Sequence, residues 1–243
     1  MAEPDTPQAP AGPLPVLYED DAFVAVHKPP GLLVHRSWLS GDRVFLLQLL
    51  RDQIGRRVYP VHRLDRATSG VIIFAFSSRH ASALQQRLES ADAVKRYRAV
   101  VRGWIREAGE IDHPVRDRDE GGEPREAVTR YRPLATVELP CAVGRYSTAR
   151  YSLVEVQPLT GRRQQIRKHL KHIAHPVVGD TTHGRGEHNR LFRQAFDCHR
   201  LLLQARELCF RHPLNDEPVG IRAAAEPSWD AVIARLGWSA SDA

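Results

Sequence analysis

Nine consecutive residues, His62-Arg63-Leu64-Asp65-Arg66-Ala67-Thr68-Ser69-Gly70, set one carboxylate between two guanidiniums. An apolar run follows at once, Val71-Ile72-Ile73-Phe74-Ala75-Phe76. Positive neighbours favour the ionised form of Asp65, and an ionised carboxylate at the mouth of a buried strand can serve as nucleophile or base. Thr68 and Ser69 supply turn hydroxyls, and Gly70 a backbone free to take positive φ. The residue types alone equally allow a salt-bridged turn with no chemistry.

A second stretch is Thr160-Gly161-Arg162-Arg163-Gln164-Gln165-Ile166-Arg167-Lys168-His169-Leu170. Ile166, Leu170 and Ile173 recur at helical spacing, while Arg163, Arg167 and Lys171 fall one turn apart on a shared flank. Like charges so stacked repel by about 0.3 kcal/mol per pair. A solvated face, an RNA phosphate or a carboxylate elsewhere in the fold would each answer that repulsion. His169, His172 and His175 are spaced as metal ligands could be. No acidic pair lies near them in sequence, and Pro176 bends the chain at His175. Surface histidines near RNA, without metal, are the expectation.

Taken whole, His-Arg-Leu-Asp-x-x-Thr-Ser-Gly resembles the signature of the RluA-type pseudouridine synthases, whose aspartate is the essential catalytic residue. Lys28-Pro29-Pro30-Gly31-Leu32-Leu33-Val34-His35, the Lys-x-Tyr at Lys95 to Tyr97, the Thr160 stretch and His175-Pro176-Val177-Val178-Gly179-Asp180 are similar to further motifs of that family. The resemblance implies that Asp65 is catalytic, that Arg167 pairs with it, and that Ile166 packs in the active site. It sets Tyr97 against the target base and Arg63 in the space left by an extruded nucleotide, where a planar guanidinium can stack and bond phosphate. Candidate RNA contacts are Arg63, Arg66, Arg162, Arg163, Lys168 and Lys171. The chain departs from the pattern at Gln164 and Gln204, where the family has histidine. Gln164 can form hydrogen bonds but cannot titrate, so a role in organising structure or RNA contacts is expected of it.

The implied reaction breaks a uridine's glycosidic bond, turns the uracil and rejoins it through carbon. It involves no net redox change or phosphate transfer, so no cofactor or metal is called for. Asp65 would attack the ribose or the uracil, or remove a ribose proton. Lys28 to Trp38, Val101-Arg102-Gly103-Trp104 and Gly144-Arg145-Tyr146 look most like members that act on tRNA, at the T-stem uridine of position 65. Ribosomal RNA is the alternative substrate. A non-catalytic RNA-binding protein would need the basic faces without Asp65, and a histidine-cluster hydrolase would need a metal.

The elements that must position these residues read as many short strands, long connections and few helices. That order fits α+β with a long, mixed, mostly antiparallel sheet, which the resemblance also implies. Strands are expected at Val16 to Tyr18, Phe23 to His27, Val71 to Phe76, Lys95 to Gly103, Val128 to Val137, Arg150 to Gln157 and Glu207 to Arg211. Helices are expected after Asp42 as cap, from about His80 to Ser90, from the Thr160 stretch, and after Ser228 as cap. Residues 108–127 read as a loop or a mobile hairpin and 184–199 as a second long connection. A proline-rich leader, 1–15, is expected to be disordered, followed by a single catalytic domain over 16–243 with no S4-like module.

Composition agrees with an RNA partner and excludes little else. Hydrophobic content of 42% and charged content of 26% are those of a soluble globule. The net charge of +6, carried mostly by arginine, favours a polyanion. No apolar run approaches the ~20 residues of a membrane span. Three cysteines without metal spacing suit a reduced, cytoplasmic protein, here expected to be a monomer.

Overall fold

The computed structural model describes residues 12–36, 41–116 and 122–239. Ten strands and five helices occur among them. They form two compact units, one running up to Val94 with Ala205–Ala223, the other Lys95–Gln204 with the segment from Ala224 onward. The α+β expectation holds in both.

The first unit is built on β1 (Val16–Glu19), β2 (Phe23–Lys28), β3 (Tyr59–Pro60) and β4 (Ser69–Ala75). Every residue of β4 is buried, as its unbroken apolar run requires of a strand covered on both faces. It pairs antiparallel with β2, Gly70 opposite Lys28 and Ala75 opposite Phe23. Helix α1 (Leu46–Ile54) ends on Gly55 in the left-handed region, φ 75°. Asp42 does not cap it: Phe45 holds the cap position, and Asp42 pairs instead with Arg66. Helix α2 (Ser78–Glu89) starts on Ser77, whose hydroxyl accepts from the His80 N–H. Of the expected leader, only 12–15 lie within the described residues. There Leu14 is buried, and its N–H and carbonyl are both bonded by the Gln53 amide.

In the second unit β5 (Val94–Arg102), β8 (Ala149–Pro158), β7 (Val128–Leu139) and β6 (Gly109–Asp112) lie side by side in that order, antiparallel throughout. Strand β6 occupies part of the stretch expected to be loop, and pairing with β7 fixes it. Helix α3 (Gln165–His172) is where the apolar spacing predicts it. Helix α4 (Gly186–Phe196) replaces the connection expected over 184–199. Its Phe192 and Phe196 enter a core with Tyr151, Leu153, Leu202, Trp229 and Val232. Helix α5 (Pro227–Arg235) begins one residue before its expected cap. Pro227 takes the first turn, where a missing N–H costs nothing, and Ser228 accepts from Arg200.

Two later strands complete the set: β9 (Leu203–Arg211), whose bulk belongs to the first unit, and β10 (Pro218–Arg222), antiparallel to it. No helix among the described residues is long and apolar enough to cross a membrane.

Gly70 shows how tightly the first unit is packed. Its φ is 109°, and a Cβ there would lie 2.1 Å from the Ala205 carbonyl oxygen. Gly70→Ala is therefore expected to cost about 3 kcal/mol or more, from backbone strain plus a clash with main chain. Urea denaturation measures this; an unchanged midpoint would contradict the packing described.

Candidate active site

Asp65 sits half-buried on a turn just ahead of β4, with Leu64 buried before it and Arg63 and Arg66 exposed on either side. The turn closes through the Thr68 N–H on the Asp65 carbonyl, 3.1 Å. Its anchor is the next carbonyl. Arg66 O accepts from the Gly31 N–H at 2.9 Å and from Lys28 Nζ at 2.9 Å. Arg66 Nε returns a bond to Gly31 O at 3.0 Å, and its Nη2 reaches Asp42 at 3.3 Å.

Lys28 is fully buried, and its ammonium also donates to Pro29 O at 2.8 Å. An ammonium removed from water must find such acceptors. The Lys28-Pro29-Pro30-Gly31 turn therefore has a definite task, to grip the Asp65 turn from behind. His62 has a structural place too: its Nε2 accepts from the Ile73 N–H at 3.1 Å, so that nitrogen carries no proton.

In the second unit, Arg167 leaves the first turn of α3 and is buried. Its Nε and Nη2 donate to Asp180 Oδ2 and Oδ1, at 2.7 and 2.8 Å. The repulsion expected along Arg163, Arg167 and Lys171 is thus answered by a carboxylate. The basic flank is not one solvated face, since Arg163 precedes the helix, Arg167 is paired, and Lys171 is exposed.

Asp180 is nearly inaccessible and also accepts from the N–H groups of Thr182 and His183, at 2.9 and 2.8 Å. Burial pushes its pKa up. The Arg167 hydrogen bonds and charge, with the two N–H groups, more than reverse that, so the carboxyl titrates below its ordinary range. Sequence reading matched Asp180 to a motif but gave it no task. Its signal was the Gly179-Asp180 turn: Gly179 has φ 81°, and a Cβ there would meet the Arg200 carbonyl.

The start of α3 is locked onto β7. Gln165 Nε2 donates to Val128 O and Thr129 Oγ1, while its Oε1 accepts from Thr160 Oγ1 and the Arg162 N–H. Ile166 is buried beside it. Gln164 adopts the left-handed conformation, φ 55°, and its Oε1 meets His183 Nε2 at 2.8 Å. It organises structure, as its chemistry suggests. Gln204, the other departure, is fully buried and donates to the Ala224 carbonyl at 2.8 Å.

Among the expected RNA contacts, Lys168 Nζ reaches Arg116 O and Arg162 Nε reaches Glu126 O. Tyr97 lies half-buried on β5, opposite Val156 of β8.

Of the three histidines expected at the surface, His172 is exposed and His175 half-buried, while His169 departs from the expectation. His169 is fully buried, with Nδ1 2.9 Å from Thr129 Oγ1 and Nε2 2.8 Å from His113 O. The carbonyl requires Nε2 to carry the proton, so Nδ1 accepts from the hydroxyl. His172 stacks on His113 at 3.7 Å between ring centroids, and His175 Nδ1 contacts Arg102 O. Each ring is held by protein atoms.

Three comparisons bear on this arrangement. The RNA pseudouridylate synthase family matches residues 22–172. A tRNA pseudouridine synthase C of Vibrio cholerae is 49% identical over 94% of this chain and 98% of its own. That of Haemophilus ducreyi is 44% identical over the same shares. Among solved structures, Human RNA Pseudouridylate Synthase Domain Containing 1 superposes with a TM-score of 0.71 at 26% identity, covering 92% of this chain and 90% of that one.

Two outcomes are expected. Asp180→Asn preserves size but leaves the buried Arg167 charge uncompensated, which should cost about 3–5 kcal/mol in urea denaturation. A loss under about 1 kcal/mol, the scale of an exposed pair, would contradict the burial. The second concerns pH. Burial holds His169 and His183 below the ordinary histidine pKa of 6.5, and His188 down at about 4. As pH falls below 6.5 the unfolded chain takes up protons that these folded rings refuse, so stability should decline from there downward. Denaturation midpoints at pH 7.5 and pH 5 test this; equal midpoints would refute it.

Proposed function

The chain belongs to the RNA pseudouridylate synthase family, and on that premise we propose that it converts a uridine of tRNA to pseudouridine, at position 65 in the T-stem. The observation that carries the tRNA reading is similarity over nearly the full length, at 44–49% identity, to relatives named tRNA pseudouridine synthase C.

The reaction breaks C1′–N1 and forms C1′–C5. The proton displaced from C5 leaves, N1 gains one, and the atoms balance without oxidant, reductant or phosphate donor. Asp65 supplies the carboxylate at the sugar–base junction. Its turn is suited to that work because its main chain is anchored at the Arg66 carbonyl. A rigid mount costs little reorganisation at the moment of reaction.

Arg167 acts as the counter-charge that the resemblance assigns to it toward Asp65. Asp180 takes the Nε–Nη2 edge of that guanidinium. Exposed Arg63 fills the gap left when the nucleotide flips, helping to offset an unstacking cost of a few kcal/mol. Tyr97 lies against the uracil while it is detached, and Ile166 lines the same pocket. Arg66, Arg162, Arg163, Lys168 and Lys171 contribute phosphate contacts around the stem. On this reading the enzyme is a cytoplasmic monomer of one catalytic domain.

Asp65→Asn should keep fold and RNA affinity and lose several orders of magnitude in single-turnover rate, since an amide is neither nucleophile nor base. A near-normal rate would sink the mechanism. For the substrate, total RNA from a strain lacking the protein should be treated with purified enzyme and new pseudouridines mapped chemically. Product in the tRNA T-stem is expected; product confined to ribosomal RNA would refute the tRNA assignment.

A further inference from the structure

The turn after β5 is held by main chain and by one serine hydroxyl. Gly103, φ 85°, donates its N–H to Arg150 O at 2.7 Å. Ser152 Oγ donates to Gly103 O and accepts from the Ile105 N–H, both at 2.8 Å. What this clamp presents is Trp104, half-buried, with its indole N–H fixed on Val137 O at 3.0 Å.

Two exposed guanidiniums lie against that one ring. The Arg150 Cζ is 4.3 Å from a Trp104 ring centroid and the Arg106 Cζ is 5.0 Å away. Their charges are therefore no farther apart than roughly the ~10 Å Debye length of 0.1 M salt. Each cation–π contact at an exposed site contributes only about 0.5–1 kcal/mol, and repulsion between the cations opposes it. Glu138 relieves Arg150 alone, at 3.2 Å, and shares that oxygen with Thr148. Among the described residues Arg106 makes no ion pair.

Stacking engages the flat face of a guanidinium. Its N–H donors point outward in the plane, the geometry that takes phosphate oxygens in pairs. The Glu138 carboxylate meets Arg150 alone, so an anion from outside is what suits Arg106 and the Arg150 donors beyond Nε. The same β7–β8 hairpin carries a second exposed aromatic–arginine pair at its tip, where Arg145 Nη2 donates to Tyr146 Oη at 2.9 Å.

We propose that Trp104, with Arg106 and Arg150 stacked upon it, is a clasp for the phosphodiester backbone of the RNA substrate. It adds a phosphate contact to those assigned above and takes no part in the chemistry. The inference rests on the RNA-modifying function proposed for the chain.

The test uses the full chain and a fluorescently labelled tRNA transcript, with affinity measured across a potassium chloride series. Arg106→Gln should raise Kd about 3- to 10-fold at 0.1 M salt, and should lower the log–log salt slope by about 0.9 for the lost contact. Its single-turnover rate at saturating RNA should match the wild type. Arg106→Lys should restore the slope but only part of the affinity, because the charge returns without the stacked fork. Arg106 is exposed, so neither change threatens folding. Unchanged affinity and slope in Arg106→Gln would overturn the clasp, as would a fall in saturating rate at constant affinity. Because binding and turnover are read separately, a wild type that binds tRNA but makes no pseudouridine would overturn the proposed function while leaving the clasp to be judged on the salt slopes.

Discussion

A guanidinium shut away from water is tolerable only where a carboxylate meets it edge to edge, and the second unit is arranged to meet that demand. Removing both charges of Arg167 and Asp180 from solvent costs several kcal/mol per ion, which paired, short hydrogen bonds must offset. Asp180 therefore cannot drift. Its Oδ1 is held by the N–H groups of Thr182 and His183, and its carbonyl accepts from Gly184 and the Asn189 amide. Asn189 also takes the Gly179 N–H, so the first turn of α4 is tied to the Asp180 turn. The other end of the pair is fixed by Gln165 and His169, which rivet α3 to β7 through Thr129.

The first unit answers the same demand in another way. Main-chain carbonyls of Pro29 and Arg66 receive the Lys28 ammonium. Such bonds are directional, so the lysine positions main chain: with the Gly31 N–H it fixes the Arg66 carbonyl, next in the chain to Asp65.

Much of this was legible in the sequence, because the chemistry-bearing residues of the first unit are contiguous. Asp65, Gly70 and the buried strand after them stand in one run, and local rules suffice for turn, φ and strand. Gln164 could be placed as structural from its inability to titrate, and its bond to His183 agrees. The partner of Arg167 was not legible as such, since it lies 13 residues on, beyond a helix and a turn. Helix α4 was missed for a physical reason. Gly184 and Gly186 open it, charged residues fill it, and only packing of Phe192 and Phe196 on Tyr151 and Trp229 reveals its apolar side. Asp42 and Ser228 were read as caps because both residue types favour that place. Each instead meets an arginine, and tertiary pairing won over local preference.

Arginine is where sequence-level charge misleads most. The excess of +6 suggests a basic surface, yet the arginines divide into physically different groups. Arg167 is buried and neutralised. Arg130, Arg132 and Arg222 are exposed but each meets a glutamate across neighbouring strands at 2.6–2.7 Å, so they present little net field to a polyanion. Arg106 lies on an aromatic ring, 5.0 Å from the centroid; Arg56 and Arg150 do so at 3.1 and 4.3 Å, but each also meets a glutamate, at 3.7 and 3.2 Å. A ring immobilises the guanidinium without cancelling its charge, which a carboxylate cannot do. Ordering a free arginine on RNA costs up to about 2 kcal/mol of side-chain entropy, and a stacked one has already lost much of that freedom. For binding a phosphate backbone, the neighbours of each arginine therefore matter more than the number of arginines.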